Sequence, residues 1–177
     1  MRHHKTSSWL LGAAAFGLVV LGPSRAAAFG DQLHTGVKGG LAMQKDRDLG
    51  WGVGAHAAYG LSDMFDAEVE LLLTENVAVQ DLKTRVLAAT AGIAYKVDIL
   101  RWIPYVGILG GYYDYGGVPG PNGETKAGGA ALQIGLDFLM TRELALSFDF
   151  RSHFSFKEEF YSPMQTVMLG AEYRWGF

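Results

Sequence analysis

The stretch PMQTVMLGAEYRWGF, residues 163–177, decides the fold. Taken every second residue, it places Val167, Leu169, Ala171, Tyr173, Trp175 and Phe177 on one side. Met168, Gly170, Glu172, Arg174 and Gly176 fall on the other. One set is apolar and aromatic; the other mixes small and charged residues. A period of two is the signature of a strand, because successive side chains point to opposite faces.

The same alternation runs through the rest of the chain, in residues 33–44, 50–61, 65–75, 83–96, 103–115, 128–140 and 143–156. In the first, Leu33, Val37, Leu41 and Met43 oppose His34, Lys38, Ala42 and Gln44. In the third, Val69, Leu71 and Leu73 oppose Asp66, Glu68 and Glu70. Both faces of 103–115 are apolar and glycine-rich, so periodicity does not orient that segment. Pro104 suits its start, where a missing N–H is tolerated. With 163–177 the expected strands number eight. Short connections at 62–64, 97–102 and 141–142 alternate with longer or more polar ones at 45–49, 76–82, 115–127 and 157–162. The loop at 115–127, with Pro119, Gly120, Pro121, Asn122 and Gly123, is the richest in chain-breaking residues.

The N-terminal end is of a different kind. Arg2, His3, His4 and Lys5 precede an apolar run of thirteen residues, 10–22, and then Pro23 and Ala26-Ala27-Ala28. This is the layout of a secretory signal peptide, residues 1–28, with cleavage expected after Ala28. Thirteen residues are too few to cross a bilayer core of roughly 30 Å as a helix. The mature chain, 29–177, suits one domain. Losing Arg2, Lys5 and Arg25 leaves 12 of the 15 basic side chains against 18 acidic ones. That balance disfavours nucleic acid as a partner. The absence of cysteine excludes a disulfide scaffold, a thiolate metal site and a lipidated N-terminal cysteine. No apolar run after Gly22 is long enough for a spanning helix. If the mature chain enters a membrane, it does so as a closed barrel, the other structure that satisfies every backbone polar group in lipid.

Eight alternating strands after a signal peptide also describe a soluble lipocalin-like barrel. Three features favour the membrane. Glycine and alanine fill the polar face between its charges, as a crowded lumen requires. Aromatic residues gather near strand ends: Tyr59, Phe65, Tyr95, Trp102, Tyr105, Trp175 and Phe177 towards the short turns, and Trp51, Tyr113, Tyr115, Phe154, Phe156, Phe160 and Tyr161 towards the longer loops. Two such bands match the girdles at membrane interfaces. Third, the last strand closes on Trp-Gly-Phe without a hydrophilic tail.

These residues together resemble the small eight-stranded bacterial outer-membrane barrels of the OmpA/OmpX type. The resemblance implies an all-β, antiparallel up-and-down transmembrane barrel over residues 29–177, in the outer membrane, without a periplasmic domain. It implies an assembly signal in Tyr173, Trp175 and Phe177, read by the barrel-assembly machinery. Outer-membrane lipid and lipopolysaccharide become the expected surroundings, a monomer the expected state, and no cofactor is expected.

The face opposite the aromatics carries Lys38, Lys96, Arg151 and Arg174 against Glu68, Glu70, Asp137, Asp149 and Glu172. An eight-stranded barrel has an interior only wide enough for side chains to fill. Buried charges there must pair. Closure of the last strand onto the first points to one occluding cluster of Lys38, Glu70, Asp149, Arg151, Glu172 and Arg174. The expectation is therefore a non-enzymatic envelope or surface-interaction protein; a narrow small-solute pore is the alternative in which the same pairs form the obstruction. A second alternative is catalytic. His153 and Ser155 share a strand face, and a His can activate a Ser hydroxyl. The segment loosely resembles that of eight-stranded outer-membrane lipid A deacylases. It departs from them at Phe156, where that family has Asn, in lacking an acidic partner at the required separation, and in facing the lumen. His34 and His56 stand isolated on their strands, and no cluster has metal-ligand spacing. The glycines between Gly107 and Gly117 precede no helix and form no phosphate loop; they relieve crowding or allow curvature.

Overall fold

A computed structural model describes residues 30–44, 49–79, 82–97, 99–116, 123, 125–157 and 163–176. The expected signal segment with its cleavage site, Phe160, Tyr161, Phe177 and the tip of the loop at 115–127 lie outside these residues.

Eight strands form: β1 Leu33–Gln44, β2 Gly50–Gly60, β3 Phe65–Val79, β4 Leu82–Lys96, β5 Trp102–Asp114, β6 Lys126–Leu139, β7 Leu144–Ser155 and β8 Met164–Trp175. Each pairs antiparallel with the next. β8 returns to β1 over a full twelve-residue register, from Leu33 opposite Trp175 to Gln44 opposite Met164, and closes the barrel. Closure leaves no sheet edge unpaired, the condition for strands to stand in lipid. Val37, Val69, Ile108, Ile134 and Leu169 point outward at mid-strand and are more than half exposed. Such a band in water would be an interaction or aggregation surface; around a transmembrane barrel it is the lipid-facing wall.

One expected loop is shorter than its sequence suggests: residues 76–79 belong to β3 and Leu82 to β4, with Val79 opposite Leu82 and a register shift between Thr74 and Val77. Val77 and Val79 favour extended backbone, and the irregularity absorbs the mismatch. Asn76 alone was too weak a turn signal to end the strand.

The aromatic bands also need correction. Tyr59, Phe65, Tyr95, Trp102 and Trp175 face outward near the short turns. Phe138 and Tyr173 join them through ring contacts with Trp102 at 4.6 Å and Trp175 at 4.5 Å. Tyr105, Tyr113 and Tyr115, however, point into the barrel: Tyr113 and Tyr115 are buried and Tyr105 lines an internal cavity. The register of β5 orients the segment that periodicity left open. Ile103, Leu109 and Tyr113 face inward, while Val106, Ile108 and Tyr112 face lipid.

The short turns are tight. Ser62 Oγ accepts from the backbone N–H groups of Met64 and Phe65, and Thr141 Oγ from those of Glu143 and Leu144. Between β4 and β5, Ile99 and Trp102 exchange two backbone hydrogen bonds at 3.0 Å around Leu100 and Arg101. Leu100 has φ 61°, at the position where two-residue hairpins with one such residue usually carry glycine.

Candidate functional site: the barrel lumen

Alternation sends one set of side chains from every strand inward. Glycine decides which of them can be large. In the register row across β8, β1 and β2, Gly36 lies between Glu172 and His56. A Cβ at Gly36 would overlap the His56 ring. The missing side chain lets His56 Nε2 reach Glu172 Oε2 at 3.1 Å across the intervening strand. In the next inward row, Lys38 lies between Gly170 and Gly54, and its stem occupies the space that side chains there would take. In the same manner the Tyr105 ring covers Gly135 and the Gln133 amide covers Gly107.

The charged residues form two linked groups. In the first, Lys38 Nζ pairs with Glu70 and, at 2.9 Å, with Asp149 Oδ2. Arg151 contacts Glu70 at 2.5 Å, Glu68 at 2.9 Å and Asp149 at 3.3 Å. Gln133 donates to the second oxygen of Glu68 at 2.7 Å. Arg151 is 1% exposed. In the second group, Arg174 contacts Glu172 at 2.9 Å and Asp137 at 3.0 Å. Glu172 also meets His56, and His34 at 3.5 Å; Lys96 holds Asp66 at 2.5 Å.

The single expected cluster is therefore divided. Lys38, Glu70, Asp149 and Arg151 come together, and Glu172 and Arg174 stand in the neighbouring group. Lys38 does not meet Glu172, because its partner on β8 is Gly170, one inward position away. Asp66, Glu68, Lys96, Asp137, His34 and His56 complete the network; Glu68, Lys96 and Asp137 were read from sequence as lumenal charges outside the cluster, and Asp66, His34 and His56 were not counted among those charges. The row Glu172–Gly36–His56 is the signal that could have found the histidine. It becomes readable only once the β8–β1–β2 register is known.

Among the described residues, four buried cations face six buried carboxylates: Lys38, Lys96, Arg151 and Arg174 against Asp66, Glu68, Glu70, Asp137, Asp149 and Glu172. Uncompensated charge in such an interior costs several kcal/mol or more. Shared contacts distribute the cations, and His34, His56 and Gln133 supply further hydrogen-bond or ion-pair contacts. Both groups border one internal cavity of about 40 Å³. His34 Nε2, His56 Nδ1 and Arg174 Nη1 have no protein hydrogen-bond partner; a cavity of this size has room for on the order of three waters to meet them.

Towards the long-loop end the lumen changes character. Ala42, Leu72, Val86, Ala88, Tyr113, Tyr115, Ala127, Met164 and Met168 form one buried apolar cluster. They come from β1, β3, β4, β6 and β8, with Tyr113 and Tyr115 from β5 and just after it, and so reach most of the way round the wall. His153 lies beside this cluster. Its Nδ1 is 3.2 Å from the Tyr113 hydroxyl and its Nε2 3.3 Å from Thr166 Oγ1. Ser155 Oγ accepts from the Lys157 N–H at 3.1 Å. Both side chains are buried inside the barrel, and both ring nitrogens of the histidine are directed at groups other than the serine. Among the described residues no group of three or more His, Asp or Glu has a metal-ligating arrangement.

A family profile described as outer membrane protein beta-barrel domain matches residues 13–175. Solved structures with similar folds include the N-terminal β-barrel domain of Pseudomonas aeruginosa OprF, at TM-score 0.58 and 13% identity, covering 82% of this chain and 98% of that one. Neisserial surface protein A, NspA, aligns at TM-score 0.60 and 14% identity, covering 80% and 95%. Ail, the attachment invasion locus protein of Yersinia pestis, aligns at TM-score 0.52 and 14% identity, covering 82% and 99%. No curated protein sequence matches the chain.

Proposed function

The chain belongs to the family of outer-membrane β-barrel domains, and from that premise we propose that it is a non-conducting, non-enzymatic barrel of the bacterial outer membrane, acting in envelope integrity or surface interaction. The observation that carries this reading is the filling of the lumen. An apolar cluster occupies the long-loop half and an ion-pair network the other half. A transport role needs a continuous polar path, and eight strands leave little room beside packed side chains. Catalysis on lipid needs a nucleophile on the outer wall. Ser155 faces inward, and its hydroxyl is engaged by the Lys157 backbone.

With the lumen filled, contact with other molecules falls to the lipid-facing wall and the longer loops. NspA is by its name a surface protein, and Ail a product of an attachment and invasion locus. An analogous use of the loops here fits a scaffold whose interior offers no passage.

Purified protein refolded into planar bilayers tests the reading. It should show no steady unitary conductance, while gel mobility with and without heating reports a folded barrel. A stable open channel in the folded protein would replace this reading with the small-solute pore.

A further inference from the structure

The apolar side chains at the short-turn end are not used inside the fold. Leu100 is 89% exposed and adopts φ 61°. A bulky side chain in that backbone region is an outlier, held there only where something compensates. Nothing within the barrel does so, since the side chain projects away from it. Ile99 is exposed beside it, and Leu61, Met64 and Met140 occupy the other two short turns with about half of their surface free. Each of these lies directly beyond a member of the outward aromatic ring: Tyr59 and Phe65, Trp102, and Phe138.

We propose that the three short turns are seated in the inner leaflet of the outer membrane, with Leu100 as an anchor inserted among the phospholipid chains near their headgroups. The proposal rests on the reading of the chain as a membrane barrel, and the occupant follows from continuity. The lipid-facing wall runs down β5 through Ile108, Val106 and Trp102 and is continued at the turn by the apolar Ile99 and Leu100. Arg101 and Arg142, exposed in the same turns, are long enough to send their guanidinium groups to phosphate level while the stems stay in the apolar layer. Asp63 and Glu143 are the described carboxylates in these turns, and both are exposed. Insertion gives the strained turn its compensation. An exposed leucine recovers the free energy of leaving water only if lipid covers it.

The protein contains no cysteine, so single nitroxide labels report one position each. Leu100→Cys and, as a second reporter with ordinary backbone, Ile99→Cys are reconstituted in phospholipid vesicles. Ile108→Cys on the lipid-facing wall and Lys126→Cys at the long-loop end serve as references. The ratio of relaxation by oxygen to relaxation by a water-soluble nickel chelate should be several-fold higher at 99 and 100 than at 126, approaching that at 108. Ratios at 99 and 100 equal to that at 126, with 108 still lipid-like, overturn the anchor. A water-like ratio at 108 itself overturns the membrane reading on which the anchor rests.

Discussion

Glu172 is held by Arg174 from its own strand, His56 from β2 and His34 from β1. Glu172→Ala leaves a buried guanidinium with Asp137 as its remaining partner and removes the acceptor from both imidazoles. Removing one member of a buried pair costs about 3 kcal/mol or more, and urea unfolding of the refolded barrel should show a loss of that size. A loss under ~1 kcal/mol, the range of solvated surface pairs, would mean that this half of the lumen is wet. Ser155→Ala tests the catalytic alternative more cleanly than His153→Ala. His153 also keeps the Tyr113 and Thr166 hydroxyls satisfied, and its removal should cost roughly 1–3 kcal/mol through unsatisfied buried groups alone. Lipid A from cells expressing Ser155→Ala should carry the same acyl chains as lipid A from cells expressing the unaltered protein; an acyl chain regained in the variant would restore the enzyme reading. The inward position of Glu172, Arg174, Asp137, His34, His56, His153 and Ser155 was legible in the alternation; that of Tyr113 was not. Their partners were not legible in it. Who meets whom across a lumen depends on the stagger between strands and on the reach of each side chain, and neither is written in a local period of two. His34 and His56 looked isolated for that reason: their shared carboxylate lies on β8, at the far end of the chain.

At the scale of strands, the seam between β1 and β8 is where closure succeeds or fails. Gly39 and Gly40 are neighbours in sequence and differ completely in what surrounds them. A Cβ at Gly40 would run into the Val167 carbonyl oxygen and the Met168 Cα, which are backbone and cannot step aside. At Gly39 the nearest atom to such a Cβ is 3.8 Å away. Gly39→Ala should therefore refold with the heat-modifiable gel mobility of the unaltered barrel, and Gly40→Ala should lose most of it. Equal refolding of the two would show that the seam tolerates displacement. Further along the same seam, Trp175 Nε1 donates to Thr35 Oγ1 at 3.0 Å and its ring meets Tyr173. Phe177→Asp extends the test to the assembly signal expected from the terminal aromatic: membrane insertion in cells should fall, and unchanged insertion would remove that expectation. Strand number and, in seven of eight cases, strand facing were legible because lipid outside and a crowded lumen inside impose opposite chemistry on alternate residues. β5 was the exception. Its inward side chains include Ile103, Leu109 and Tyr113, so both of its faces are apolar and only pairing with β4 and β6 separates them.

For the molecule as a whole, two unlike layers lie in series along the barrel axis, and they obstruct by different physics. The ion-pair layer blocks by occupancy: Lys38 from β1 and Arg151 from β7 both reach Glu70 on β3 and share Asp149. The apolar layer blocks by excluding water, as hydrophobic constrictions do in channels. Either should suffice alone. Removing Glu68 and Arg151 together, each to Ala, deletes a cation and an anion and leaves the net charge unchanged, which limits the penalty of a lone buried charge. Replacing Tyr113 and Met168 by Ala opens the apolar layer and costs several kcal/mol through lost packing, by analogy with large-to-small core changes of roughly 3–5 kcal/mol for an aromatic residue. Each double variant should remain without steady conductance in planar bilayers. The fourfold variant, provided that it still shows heat-modifiable mobility, should conduct, because both layers are then breached. A steady channel from the Glu68–Arg151 variant alone would show that the tyrosine and methionine layer leaks and that the ion pairs are the whole barrier. A silent fourfold variant with a folded barrel would place the barrier outside these four side chains.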